Sequence, residues 1–225
     1  MDSQIVTETN KGKVIMRDNN VRIEVVSQIT DPKFQEELWA ILEKAKTFTD
    51  LVSPWRQNLN QEEFLVRIVH PDVLVFVMYE DDEIIGFTYN TNNLDLAPWL
   101  NHKFFQHNCP TLFEQQKIWC NIGIVIRLDK QDKGFLKKLI VETWDFGTSD
   151  GRIMIVDFSW RIFGGASWID HTLKYSKGQK QKDYRYTIYE RQQFSVCWNQ
   201  DEGPDDKELV AFMMENPIFG KKNGN

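Results

Sequence analysis

Apolar and polar positions alternate along VRIEVVSQI, residues 21–29, so that Val21, Ile23 and Val25 share one face of a half-buried strand. Asp31-Pro32 then gives a helix start, with Asp as N-cap and Pro at the first helical position. Phe34, Leu38, Ile41, Leu42 and Ala45 follow at the spacing of an amphipathic helix, and TDLVSPWRQ breaks it. QEEFLVRIVH reads as a second, shorter helix. VLVFVMY is a strand whose hairpin partner is EDDEIIGFTYN, with an acidic turn at Glu80–Glu83.

Residues 92–116 show no clear period, and a stretch of that length inside a domain is functional or holds a short helix. KIWCNIGIVIRL is the next strand. In the helix GFLKKLIVETWDF, residues Phe135, Leu136, Leu139, Ile140 and Trp144 form one apolar stripe. GRIMIVDFSW is a strand, GASWIDHTLKYS a helix, and YRYTIYERQQFSVCW one long or two shorter strands. A short helix and a polar tail close the chain. Hairpins come first and a strand–helix–strand unit follows, which predicts an α+β (α/β) fold: a mixed, mostly antiparallel central sheet with helices on both faces. No repeat or linker interrupts it. One domain over 1–225 is expected, with 1–20 a loose arm (VIM can add a short strand), 92–116 an insertion and 200–225 a C-terminal extension.

Composition narrows the function classes. The chain is 225 residues long, 41% apolar and 27% charged, which suits a soluble globular protein with a substantial core. A net charge of −6, with acids spread throughout, argues against nucleic acid as a partner. KYSKGQKQKDYR, the nearest approach to a basic cluster, reads as a solvated loop. Cys109, Cys120 and Cys197 are odd in number and lack CxxC spacing, and the four His form no HExxH or HxH pair. No metal site is expected. No apolar run reaches the roughly 20 residues of a membrane span, and the N-terminus lacks a signal-peptide apolar region, so the expected compartment is the cytoplasm and no membrane partner is foreseen.

The stretch DKQDKGFLKK, residues 129–138, joins the strand KIWCNIGIVIRL to its helix. It reads either as a plain turn or as an anion site. The first amides of a helix lack intrahelical acceptors, and the helix dipole adds partial positive charge there. Gly134 lets a phosphate approach the backbone, with Lys130, Lys133, Lys137 and Lys138 adding charge.

Gln131-Asp132-Lys133-Gly134-Phe135-Leu136, set in this element order, resembles the Q/R-x-x-G-x-G/A loop of the GNAT superfamily of acyl-CoA-dependent N-acyltransferases. The first and fourth positions agree; the sixth is Leu where the family has a small residue. The element order agrees from about residue 21 to residue 198. The resemblance implies that this loop binds the pyrophosphate of acetyl-CoA or another acyl-CoA. It also implies that the backbone of Ile124, Val125 and Ile126 bonds the pantetheine arm, while their side chains read equally as sheet core. Tyr175, in Tyr175-Ser176-Lys177-Gly178, takes the place of the family's leaving-thiolate acid. His171, four residues earlier, shares its helical face and has a pKa suited to proton transfer. The Asn that the family often carries after the preceding strand is missing from DFSWRIFGGAS, leaving Ser159 or Ser167 for that contact.

The acceptor side is expected between the first two helices, near the hairpin end of the sheet, and around the later strands, with Trp55, Arg56, Trp99 and Phe104 as candidates. The implied acceptor is a small-molecule amine or the thiol of an acyl carrier protein. Two further readings stand beside acyl transfer to an amine. One is a GNAT-like domain of polyketide or acyl-amino-acid biosynthesis, with His171 and Thr172 serving decarboxylation. The other is a non-catalytic binding module on the same fold. A homodimer is open in all three.

Overall fold

The computed structural model describes residues 12–52, 59–156 and 167–180, of which 48–52, 167–170 and 179–180 are described by backbone alone. All of them lie within one compact unit, Met1–Asp183. Six strands form one sheet in chain order: β1 (Lys13–Asp18), β2 (Val21–Ser27), β3 (Val73–Glu80), β4 (Glu83–Thr91), β5 (Ile118–Ile126) and β6 (Ile153–Val156). Neighbours pair antiparallel except β5 and β6, which are parallel. The mixed, mostly antiparallel sheet is therefore the one the hydrophobic pattern predicts. β1 is the strand that the VIM run admits, so the N-terminal arm is shorter than residues 1–20.

Helices α1 (Pro32–Val52) and α2 (Gln61–Ile68) cover one face of the sheet, and α5 (Phe135–Gly147) covers the other. Between them in sequence lie α3 (His102–Asn108) and α4 (Pro110–Glu114), and after β6 comes α6 (Ser167–Lys180), which packs against α5. The α1 helix extends past Ala45 to Val52, through the TDLV expected to break it. Its Phe34, Leu38, Trp39, Ile41, Leu42 and Ala45 pack on Val75, Val77, Phe87 and Val125. Phe64 of α2 sits at the centre, with ring centroids 5.8 Å from each of Trp39, Phe87 and Tyr89. On the opposite face Phe135 and Leu139 close over Ile23, Phe76, Met78, Ile85 and Ile126.

The two-residue β3–β4 turn, Asp81-Asp82, has both residues at positive φ (49° and 68°), the geometry that matches the twist of a hairpin. Residues 92–116 hold a single 3-10 turn (Leu94–Leu96) as well as α3 and α4. Leu94, Leu100, Phe105, Leu112 and Phe113 of that stretch pack against Ile118, Cys120 and Ile155 at the start of β5 and in β6. The expected strand at 184–198, the C-terminal helix and the 200–225 extension fall outside the described residues.

Candidate functional site

β5 leads straight into the loop that the sequence singles out. Along one edge, Ile124, Val125 and Ile126 pair with Thr88, Phe87 and Gly86 of β4. Along the other edge β6 pairs with Ile118–Asn121 up to its last described residue, Val156; residues 157–166 that follow it are not described. Val125 and Ile126 are buried and Ile124 is half-buried, so their side chains serve the core.

At the end of the strand the Arg127 guanidinium forks onto Asp129 (3.1 and 2.8 Å) and also meets Glu83 of the hairpin. The hydrogen bond to Asp129, then that to Glu83, hold the arginine above its ordinary pKa, and the same pairing draws Asp129 below the usual carboxylate range. The chain then makes a 3-10 turn (Leu128–Lys130), and the Gln131 side-chain amide donates back to the Ile126 carbonyl at 3.3 Å. Asp132 and Gly134 both take left-handed backbone conformations, φ 62° and 80°. A Cβ on Gly134 would meet nothing within 4 Å, so the residue stands in open space and its glycine requirement is one of backbone conformation.

Gly134 is the N-cap of α5, and no side chain caps the helix. The first amide with a backbone acceptor is that of Lys138, on the Gly134 carbonyl at 3.2 Å. The amides of Phe135, Leu136 and Lys137 have no acceptor among the described residues. Leu136 packs against the core cluster beneath α5. Of the four lysines, Lys130 is bound to Glu80 and Lys138 to Asp18. Lys133 and Lys137 are exposed and have no ionic partner among the described residues.

On α6, His171 is exposed and Tyr175 half-buried, while Thr172 and Ser176 form the buried flank. Trp99 is 45% exposed, in the turn before α3. Trp55, Arg56 and Ser159 lie outside the described residues, and of Ser167 only the backbone is described. A groove of about 1000 Å³ runs between α1 and the hairpin end of the sheet. Phe34, Ala40 and Ile41 of α1 form one wall, Tyr79 and Ile84 the floor, and Arg127, Leu128 and Asp129 the far rim. The Arg22 guanidinium lies 4.0 Å from the centre of the Tyr79 ring. No group of three or more His, Cys, Asp or Glu suited to a metal occurs among the described residues, and no described helix is long and apolar enough to cross a membrane.

One set of polar residues escapes the sequence reading. Thr88, Asn90 and Asn121, all at least 94% buried, lie together on the α5 side of β4 and β5. The Asn121 amide nitrogen donates to Thr88 Oγ1 (2.6 Å) and Asn90 Oδ1 (2.9 Å), and Thr88 donates to the Gly123 carbonyl at 2.9 Å. The available signal was a pair of polar residues two apart, Thr88 and Asn90, inside an otherwise apolar strand pair.

No family model matches the chain, and no curated protein matches it. Solved structures do. One is an aminoglycoside acetyltransferase from an uncultured soil metagenomic sample, in complex with sisomicin; it is 17% identical over 79% of this chain and 99% of its own, with a TM-score of 0.43. The ribosomal-protein-alanine N-acetyltransferase of Brucella melitensis is 9% identical over 80% and 99%, TM-score 0.41. The PaiA N-acetyltransferase of Thermoplasma acidophilum, in complex with coenzyme A, is 13% identical over 66% and 87%, TM-score 0.44.

Proposed function

We propose that this protein is an acyl-CoA-dependent acyltransferase of the GNAT type, acting on an amine. The observation that carries the reading is the start of α5. Among the described residues, three consecutive amides without acceptors stand behind a left-handed glycine at the end of β5, flanked by two lysines without ionic partners. Open amides with the positive end of a helix dipole bind phosphate oxygens. An extended arm attached to that phosphate is proposed to run back along β5 and take backbone hydrogen bonds from Ile124, Val125 and Ile126, as an added strand would.

In the reaction the acceptor nitrogen attacks the thioester carbonyl, a C–N bond forms and the C–S bond breaks. The amine gives up a proton to a base, and the departing thiolate takes one from an acid. Tyr175 is proposed as the acid and His171 as the proton acceptor, both from α6. The groove beside α1 meets the phosphate end of β5 at Arg127, Leu128 and Asp129, so it is proposed to hold a remote part of the acceptor rather than the reacting nitrogen. Its lining holds five carboxylates (Asp31, Glu37, Asp82, Glu83, Asp129) against three cations (Lys33, Lys44, Arg127), a balance that favours a cationic ligand.

Native mass spectrometry and calorimetry with CoA test the binding step: a one-to-one complex is expected, and no complex at millimolar CoA would overturn the reading. Thiol release from acetyl-CoA then tests the roles. Tyr175→Phe and His171→Ala should each lower turnover at unchanged CoA affinity, and full turnover in both would remove those two residues from the chemistry.

A further inference from the structure

Residues 127–134 carry the chain from β5 to the open amides of α5, and two of them are left-handed, Asp132 (φ 62°) and Gly134 (φ 80°). Glycine takes that conformation freely. For an aspartate it lies above the right-handed one in energy, and it persists only where the surrounding structure determines it. Where the amides point therefore depends on what fixes this segment.

Among the described residues three of its side chains reach fixed partners. Gln131 donates to the Ile126 carbonyl at 3.3 Å, a long neutral hydrogen bond. Lys130 meets Glu80 through a single ammonium on a flexible stem. Arg127 does more. Its backbone amide donates to the Ile85 carbonyl at 2.9 Å, one step past the last β4–β5 pair, and its carbonyl accepts from the Lys130 amide at 2.9 Å. Its guanidinium uses all three nitrogens. Nε and Nη2 fork onto the two oxygens of Asp129 (3.1 and 2.8 Å), and Nη1 faces Glu83 and the Ile84 carbonyl (3.5 Å).

A fork of two donors on two acceptors sets direction as well as distance. The arginine is its anchored end, with a side chain 26% exposed against 59% for Asp129. One planar group thus joins the end of β5, the β3–β4 hairpin and the loop two residues on. The pairing also cancels the charge of Asp129, five residues before Gly134. A neutral residue at 129 would do that without an arginine, so the charged pair points to geometry.

We propose that Arg127 is a positioning residue for the phosphate loop. It draws Asp129 back onto the end of β5 and so sets the path that presents the amides of Phe135, Leu136 and Lys137 to the diphosphate. This rests on the acyl-CoA reading above. The test measures, by calorimetry, the affinity of the full chain for CoA. Arg127→Gln should weaken it about tenfold, the scale on which lost preorganisation acts. Arg127→Lys should weaken it nearly as much, because an ammonium keeps the charge and loses the fork. Asp129→Ala, at a largely exposed position, should cause the same loss, and the double variant of Arg127→Gln with Asp129→Ala no further one. In thiol release from acetyl-CoA the loss should appear in KM with kcat held, since the loop binds ground and transition states alike. Full affinity in Arg127→Gln or Arg127→Lys, or unchanged or tighter binding in Asp129→Ala, would overturn the proposal and leave the CoA site standing. If Arg127→Gln does not fold, Asp129→Ala decides alone. A wild-type chain that binds no CoA would overturn the acyl-CoA reading and this one together.

Discussion

Two helices of similar setting begin in opposite ways. At α2 the Asn60 side chain accepts from the Glu63 amide at 2.9 Å, and the Glu63 carboxylate accepts from the Asn60 amide at 2.8 Å. This reciprocal box closes the helix start with groups of the chain itself. At α5 the cap is a left-handed glycine, no side chain reaches back, and three amides are left open. The packing of α5 does not explain the omission, because its Phe135 and Leu139 are buried in the core, as are Phe64 and Ile68 of α2. Capping is a local and inexpensive device for a chain to encode. A helix anchored in the core but left without a side-chain cap keeps its first amides open to an acceptor from outside it.

Abolishing that difference has the largest expected effect. In Gly134→Asp a carboxylate sits where the phosphate is proposed to bind, and the left-handed backbone becomes strained for a residue with a Cβ. Affinity for CoA should fall about 30-fold, near 2 kcal/mol, the scale of hydrogen bonds to a charged group. Calorimetry reads this directly. Inorganic pyrophosphate should raise the melting temperature of the wild-type chain and leave that of the variant unmoved. An unchanged CoA affinity in Gly134→Asp would show that α5 is simply a poorly capped helix.

The mirror change at α2 should act on stability alone. Asn60→Ala removes the acceptor for the Glu63 amide and should cost about 1 kcal/mol. For a domain of this size that is a melting temperature lower by about 2–4 °C, with CoA affinity unaltered. Thermal unfolding with and without CoA checks both halves of the expectation.

The contrast between these helices also shows how far sequence reasoning reaches. Periodicity alone placed α1, α2, the acidic hairpin and α5, because each owes its position to one apolar face that is continuous in the chain. Gln131 and Gly134 were legible for the same reason, being local to a strand-to-helix turn. The box Asn60–Glu63 is equally local, three residues apart, and NQEE carries its signature. What stayed hidden depends on register. Lys130 and Lys138 look the same as Lys133 and Lys137 in sequence. They are distinguished by Glu80 and Asp18, which lie 50 and 120 residues away. Thr88, Asn90 and Asn121 become a network only through the β4–β5 pairing, whose irregularity at Tyr89/Asn90 no periodicity announces.

That division among the lysines gives a smaller and sharper prediction. Lys133→Ala and Lys137→Ala should each weaken CoA binding about twofold, by less than 1 kcal/mol, and the loss should shrink as salt is added. Lys130→Ala and Lys138→Ala remove ion pairs to Glu80 and Asp18 and should leave CoA affinity within error of wild type. Salt titrations of binding across the four variants separate the two pairs. Equal effects in all four would mean that a general positive field, rather than the two unpaired side chains, assists the amides.

The smallest effect separates the α1 side of the sheet from the anion site by pH. Burial, then the negative charge of Glu24, push the Tyr79 phenol up from 10.0 to about 12, so the fold favours its neutral form. In the unfolded chain the phenol ionises near its ordinary value. The stability contributed by neutral Tyr79 is therefore complete below about pH 10 and is lost as pH rises through about 12. Tyr79→Phe cannot ionise, so its urea midpoint should fall less steeply over that window than the wild type's. Backbone amides have nothing to titrate there, so Gly134→Asp, compared with its parent over the same window, should show an unchanged slope. A Tyr79→Phe profile parallel to wild type would place the alkaline limit elsewhere, on groups outside the floor of the groove.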